Sequence, residues 1–153
     1  MRKLWIYILL LAFVCIACKD STLTGDYGGG SGYSYGSMSV YEYPSNKQVY
    51  SIKPTTLLGT DYYDIYEYPS HKHAYRAKHT TLLGTDYYNV YEYFTNKQLY
   101  DVKQTTLLGT DYFYVYEYFT NKKIYEIKHT TLLGSDYYYV YEYPSNKQVY
   151  YIK

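Results

Sequence analysis

Three sets of residues in this sequence have the types and spacing to do chemistry. His71, His73 and His79 crowd into one short stretch. Asp61, Asp86, Asp111 and Asp136 recur down the chain, each closing a Gly-Thr/Ser-Asp segment, and Glu42, Glu67, Glu92, Glu117 and Glu142 recur beside them. The histidines bring imidazole nitrogens of the kind zinc takes, but two-ligand spacing needs further ligands converging from elsewhere. The aspartates offer a row of oxygens to calcium, yet one carboxylate per loop is thin for an ion that takes roughly six to eight. Asp at a turn ordinarily bonds its own backbone. The glutamates invite comparison with the paired carboxylates of glycoside hydrolysis. A residue recurring in every copy is more simply structural, and no Ser or Cys nucleophile stands beside a base. His71 stands where other copies carry Asn46, Asn96, Asn121 and Asn146, which makes it a turn residue, and His73 replaces Gln48. The expectation is a protein that is not an enzyme and holds no metal or cofactor.

The remaining chemistry is aromatic. Tyrosine supplies 29 of 153 residues. Its ring stacks, its hydroxyl bonds, and few rotamers are lost on fixing it. Tyr41, Tyr43, Tyr66, Tyr68, Tyr91, Tyr93, Tyr116, Tyr118, Tyr141 and Tyr143 recur in pairs at one place in each copy, and they are the candidate ligand-binding residues.

These residues are positioned by a repeat. The stretch 41–65 restarts at Tyr66, Tyr91, Tyr116 and Tyr141, a 25-residue period without insertion. Such self-similarity has to be recognised before any fold is assigned. Each copy holds a Tyr-rich run (62–68), a short turn (69–71), a second run (72–78), and a connector (79–86). The runs are aromatic and β-branched and are bounded by turn residues, so they are strands. No helical apolar spacing follows residue 17.

Pro44 suits the first central position of a type I turn, and Asn46 a left-handed position closing a three-residue loop. In that register Tyr43 faces Lys47, Glu42 faces Gln48, and Glu67 faces His73. Val40 then faces Tyr50 and Met38 faces Ile52 on one face, while Tyr41 faces Val49 and Ser39 faces Ser51 on the other. Positions 39 and 51 are the ones that vary most between copies: Asp64 and Arg76, Asn89 and Asp101, Tyr114 and Glu126, Tyr139 and Tyr151. A variable pair belongs on a solvent face, where Asp64 and Arg76 make a favourable cross-strand ion pair. Tyr63, Ile65, Tyr75 and Ala77, with Glu67 near the turn, form the core face.

Five hairpins give about ten strands. Stacking them as a solenoid would line up Glu42, Glu67 and their equivalents about 4.8 Å apart as a like-charge ladder. An antiparallel meander avoids this. Open repeat arrays need divergent polar caps, whereas the first hairpin ends in PSNKQVYSIK and the last in PSNKQVYYIK. An uncapped edge invites aggregation. The fold class expected is therefore all-β: tandem β-hairpin repeats in an antiparallel meander that closes into a barrel or ring, or whose edges pair with another chain.

The N-terminus reads differently. Met1-Arg2-Lys3 is basic and residues 4–17 are apolar, a run too short to span a bilayer comfortably, for which ~20 residues are needed. Val14-Cys15-Ile16-Ala17-Cys18 resembles the lipobox of bacterial lipoproteins, with Ala17 as the small residue before Cys18. The resemblance implies cleavage before Cys18 and its acylation. Cys15 stands where that family usually has Leu. Ordinary signal cleavage after Ala17 is the simpler alternative. Residues 1–17 are then a signal peptide, 18–37 the lipidated cysteine and a Gly/Ser-rich tether, and 38–153 the repeat domain.

Lys and Arg number 15 against 14 Asp and Glu, so no basic surplus argues for nucleic acid or an anionic membrane face. Aromatic hairpin arrays are similar in kind to the choline- and glucan-binding repeats of bacterial surface proteins, although their tryptophans and glycine spacing are absent. The sequence therefore points to a lipid-anchored protein of the bacterial cell envelope, at the outer membrane or cell surface. It would be a non-catalytic binding or adhesion module for a polysaccharide or cell-wall glycan. The alternative is a structural, self-associating envelope protein.

Overall fold

The computed structural model describes residues 37–153. The expected signal peptide, Cys18 and all but the last residue of the tether lie outside the described residues. From Met38 onward the alternating Tyr-rich runs form ten strands: β1 (Met38–Glu42), β2 (Gln48–Leu57), β3 (Thr60–Glu67), β4 (His73–Leu82), β5 (Thr85–Glu92), β6 (Gln98–Leu107), β7 (Thr110–Glu117), β8 (Lys123–Leu132), β9 (Ser135–Glu142) and β10 (Lys147–Ile152). There is no helix among the described residues. Each strand pairs antiparallel with the next, and β1 pairs with β10, so the meander closes into a barrel. Closure removes the two free edges that the repeat would otherwise expose.

Alternation along the strands fills the interior in layers. Tyr50, Tyr75, Tyr125 and Tyr150 lie in one layer, Val40, Ile65, Val90, Val115 and Val140 in the next, and Ile52, Ala77, Val102, Ile127 and Ile152 in a third, all buried. Tyr63, Tyr88, Phe113 and Tyr138 follow. Each fully buried apolar side chain contributes about 1.5–3 kcal/mol. The core face expected from the repeat is thus the barrel lumen, and the variable pairs stand outside: Ser39 opposite Ser51, Asp64 opposite Arg76, Asn89 opposite Asp101.

Near the turns the expected register does not hold. Tyr41 pairs with Gln48, not Val49, and Tyr66 pairs with His73, which had been assigned to Glu67. A β-bulge at Val49, Ala74, Leu99, Ile124 and Val149 inserts one residue and turns it toward the core, where it packs against the buried cluster. The loop is residues 43–46, with Glu42 N–H donating to Lys47 O at 2.9 Å and Asn46 N–H to Glu42 O at 2.9 Å. Asn46, Asn96, Asn121, Asn146 and His71 all take the left-handed conformation expected of that position, with φ from 52 to 56°.

The connectors, expected to be links between hairpins, are hairpins themselves. Strands β2 and β3 run together to Leu57 opposite Thr60, leaving a two-residue turn. Leu58 and Gly59 have φ of 50 and 74°, and the same turn recurs at Leu83, Leu108 and Leu133. Two positive φ values in succession make a type I′ turn, whose twist matches that of the strands. The preference for Asn at its first position hid the turn, because here that position is leucine.

Candidate functional site

The barrel has a filled lumen, so its surfaces are the outer wall and the two ends. The wall carries the candidate tyrosines. Tyr41, Tyr66, Tyr91, Tyr116 and Tyr141 project outward from β1, β3, β5, β7 and β9 and are half-buried against one another's neighbours. Tyr43, Tyr68, Tyr93, Tyr118 and Tyr143 open the loops at one end and are more exposed, from 39 to 48%. All ten therefore face away from the core, as a binding face requires.

Cations hold many of these rings in place. Lys53 lies 5.3 Å from the Tyr66 ring centroid, Lys153 5.0 Å from Tyr41, and Lys123 4.0 and 4.4 Å from Tyr114 and Tyr143. Tyr41 stacks on Tyr151 at 5.1 Å across the strand pair that closes the barrel. Burial, with the nearby Asp64 carboxylate, raises the pKa of Tyr66; burial and Asp101 do the same for Tyr91, and burial and Tyr139 for Tyr141. These phenols stay neutral hydrogen-bonding groups well into the alkaline range.

The outward variable pairs give each section of the wall a different polar set. Between β3 and β4, Arg76 Nε donates to Asp64 Oδ1 at 2.7 Å and Nη2 to Oδ2 at 3.2 Å, while His73 Nε2 lies 3.1 Å from Oδ1. Tyr93 stacks on His73 at 3.4 Å, and Arg76 lies over Tyr62 and Tyr93. This section is filled by its own side chains. Between β5 and β6, Asn89 and Gln98 both donate to Asp101 Oδ1, at 2.8 and 2.7 Å. Beside them a shallow groove of about 410 Å³ is lined by Tyr87, Asp101, Lys103, Tyr116 and Asn121. It offers two aromatic faces, an acceptor, a cationic donor and an amide within one concavity. Tyr116 was expected in such a site. Tyr87 was not, since it lies nearer the other end of the strand, and the variable pair at Asp101 was the signal that marked this part of the wall.

The titratable sets that drew attention in the sequence have local partners. Glu42, Glu67 and Glu142 accept hydrogen bonds from Ser45, Ser70 and Ser145 at 3.0, 3.3 and 3.0 Å, and Glu92 and Glu117 accept from Thr95 and Thr120. The carboxylates thus brace the loops. Asp61, Asp86, Asp111 and Asp136 accept across the tight turn from Thr56, Thr81, Thr106 and Thr131 at 2.6 to 2.8 Å, in place of the local backbone bonds expected of them. His79 and His129 lie 3.1 and 3.0 Å from Asp86 and Asp136 and stack on Tyr88 and Tyr138. Burial opposes the charge on Asp136, but the bonds from Thr131 and His129 outweigh it and lower its pKa. His71, His73 and His79 diverge to the loop tip, the outer wall and the lumen end. Among the described residues no three His, Cys, Asp or Glu side chains gather where an ion would sit.

Comparisons with family models, curated proteins and solved structures return no match to this chain.

Proposed function

We propose that the protein is a lipid-anchored component of the bacterial cell envelope, at the outer membrane or cell surface. It acts as a non-catalytic binding or adhesion module for a polysaccharide or cell-wall glycan. The observation that carries this reading is the outer groove, where Tyr87 and Tyr116 flank Asp101, Lys103 and Asn121. Sugar rings present apolar faces edged with hydroxyls, and a tyrosine wall with interleaved acceptors and donors complements both. The repeat places a related tyrosine on every second strand, so a repetitive ligand gains avidity from several weak contacts. The membrane part rests on the lipobox-like Ala17-Cys18 after the basic and apolar leader.

The test is a glycan array probed with the mature chain, beside mass spectrometry of its N-terminus. Binding lost in the Tyr87→Ala, Tyr116→Ala pair supports the groove. Binding unchanged in that pair moves the site, and no binding to any glycan rejects the reading. An unmodified Cys18 rejects the anchor.

A second reading has its own observation. Phe94 and Phe119 are 71 and 72% exposed at the loop tips, next to Tyr93 and Tyr118. Such rings would be covered in a self-associating structural protein of the envelope. A light-scattering mass above that of the monomer, lost in the Phe94→Ser, Phe119→Ser pair, favours it.

A further inference from the structure

The opposite end of the barrel carries a different surface. Leu58, Leu83, Leu108 and Leu133 stand at the four tight turns, 97 to 98% exposed. The leucine before each of them is 51 to 60% exposed. All four tip leucines are held at φ of 50 or 51°. A left-handed backbone is unfavourable for leucine, and asparagine would relieve it. The tips touch nothing that would compensate, so neither turn stability nor core packing accounts for a leucine there. Persistent strain combined with full apolar exposure points to a surface that meets something else.

The chain ends say what it meets. Strand β1 begins and β10 ends at this same end, in the one place around the rim where no leucine turn stands. The described chain therefore enters the barrel at this end, beside Lys153 and level with Ile52, several residues behind the leucine tips, and residues 1–36, with the apolar run 4–17 and Cys18, precede it in sequence. We infer that the leucine crown docks end-on into the interfacial region of a lipid bilayer, with the loops carrying Tyr43, Tyr68, Phe94 and Phe119 pointing away from it. The wall limits the depth. Lys53, Lys78, Lys103, Lys128 and Lys153 ring the outside; Lys53 lies four residues behind Leu57, roughly 13 Å along the strand at ~3.3 Å per residue. Asp61, Asp86, Asp111 and Asp136 stand nearer the tips, opposite Thr56, Thr81, Thr106 and Thr131, so entry stops with the paired leucines past the headgroups, the carboxylates within the headgroup layer and the lysines at or above it. The inference shares with the proposed function only a place beside a membrane. It does not need Cys18 to be acylated or the wall to bind a glycan.

The test places a single tryptophan at each end of the full chain, with Trp5→Phe to remove the native one. Leu83→Trp reports the crown and Phe94→Trp the far loops, each with phosphatidylcholine vesicles containing brominated acyl chains. Docking predicts at least twofold quenching at position 83 and none at 94. No quenching at 83, or equal quenching at both, overturns it. A position 83 shielded from aqueous iodide without vesicles, with a doubled mass and no bromolipid quenching, also overturns it in favour of a second copy seated on the crown. In the Cys18→Ser background, replacing all four tip leucines by asparagine should lower vesicle partitioning at least tenfold while the barrel stays folded. Unchanged partitioning would sink the proposal. The mass of the mature N-terminus reads the anchor separately.

Discussion

The amide of Tyr43 donates to the carbonyl of Val149 at 2.9 Å, joining the first loop to the last bulge. The same bond links Tyr68 to Val49, Tyr93 to Ala74, Tyr118 to Leu99 and Tyr143 to Ile124, at 2.9 to 3.0 Å. The bulge that upsets the register thus frees a carbonyl for the neighbouring repeat, and the closing contact of the barrel is one more copy of the internal ones. Deleting residues 137–153 removes β10 and nearly all of β9, exposing edges on β1 and β8. The shortened chain should aggregate in size-exclusion chromatography. A soluble folded monomer would show that closure is dispensable.

At the tight turns, Leu83→Asn should raise stability by several tenths to ~1 kcal/mol, because asparagine tolerates the left-handed backbone that leucine resists. Urea denaturation measures it. A loss of stability would mean that the exposed leucine has a structural role in the isolated barrel. At the other end, Asn96→Ala, at φ 53°, should cost a few tenths to ~1 kcal/mol.

Arg76 covers the buried carboxylate of Asp64 with two hydrogen bonds. Removing one partner leaves a charge with only His73 and Thr55 to meet it. Arg76→Ala should therefore cost about 1–3 kcal/mol, less than for a fully buried pair because the guanidinium is 34% exposed. A double-mutant cycle with Asp64→Asn isolates the pair, and a coupling near zero would contradict its role.

Burial lowers the pKa of His73, although the Asp64 carboxylate pulls the other way. The unfolded chain then takes up the proton first as pH falls through ~6.5, while the folded barrel resists it. The stabilisation from a neutral His73 is present above that pH and is lost as pH falls toward the lower folded value. The urea midpoint should drop more between pH 7.5 and 5.5 for the native chain than for His73→Gln, which carries the residue of Gln48, Gln98 and Gln148. Equal drops would remove His73 from the pH response.

Much of this architecture was legible in the chain. The 25-residue period, the alternation that puts Ile65 inward and Asp64 outward, and the missing caps implied an all-β meander whose edges either close into a barrel or pair with another chain, and the structure closes it. They did so because alternation has a period of two and an unpaired edge is costly whatever surrounds it. The bulge was also written there, as adjacent apolar residues such as Val49-Tyr50 and Ile124-Tyr125, but reading it requires knowing that both side chains turn inward. Local pattern fixes which face a residue takes and leaves open which distant residues share that face. The tight turns and bulges set the register that brought Tyr87 beside Asp101 and Tyr116 and sent Phe94 to one end and Leu83 to the other, and closure alone paired β1 with β10. The register depends on turn geometry and the bulge, which side-chain alternation does not reveal, and the β1–β10 pairing follows from ten strands closing on themselves, a long-range condition that no single repeat contains.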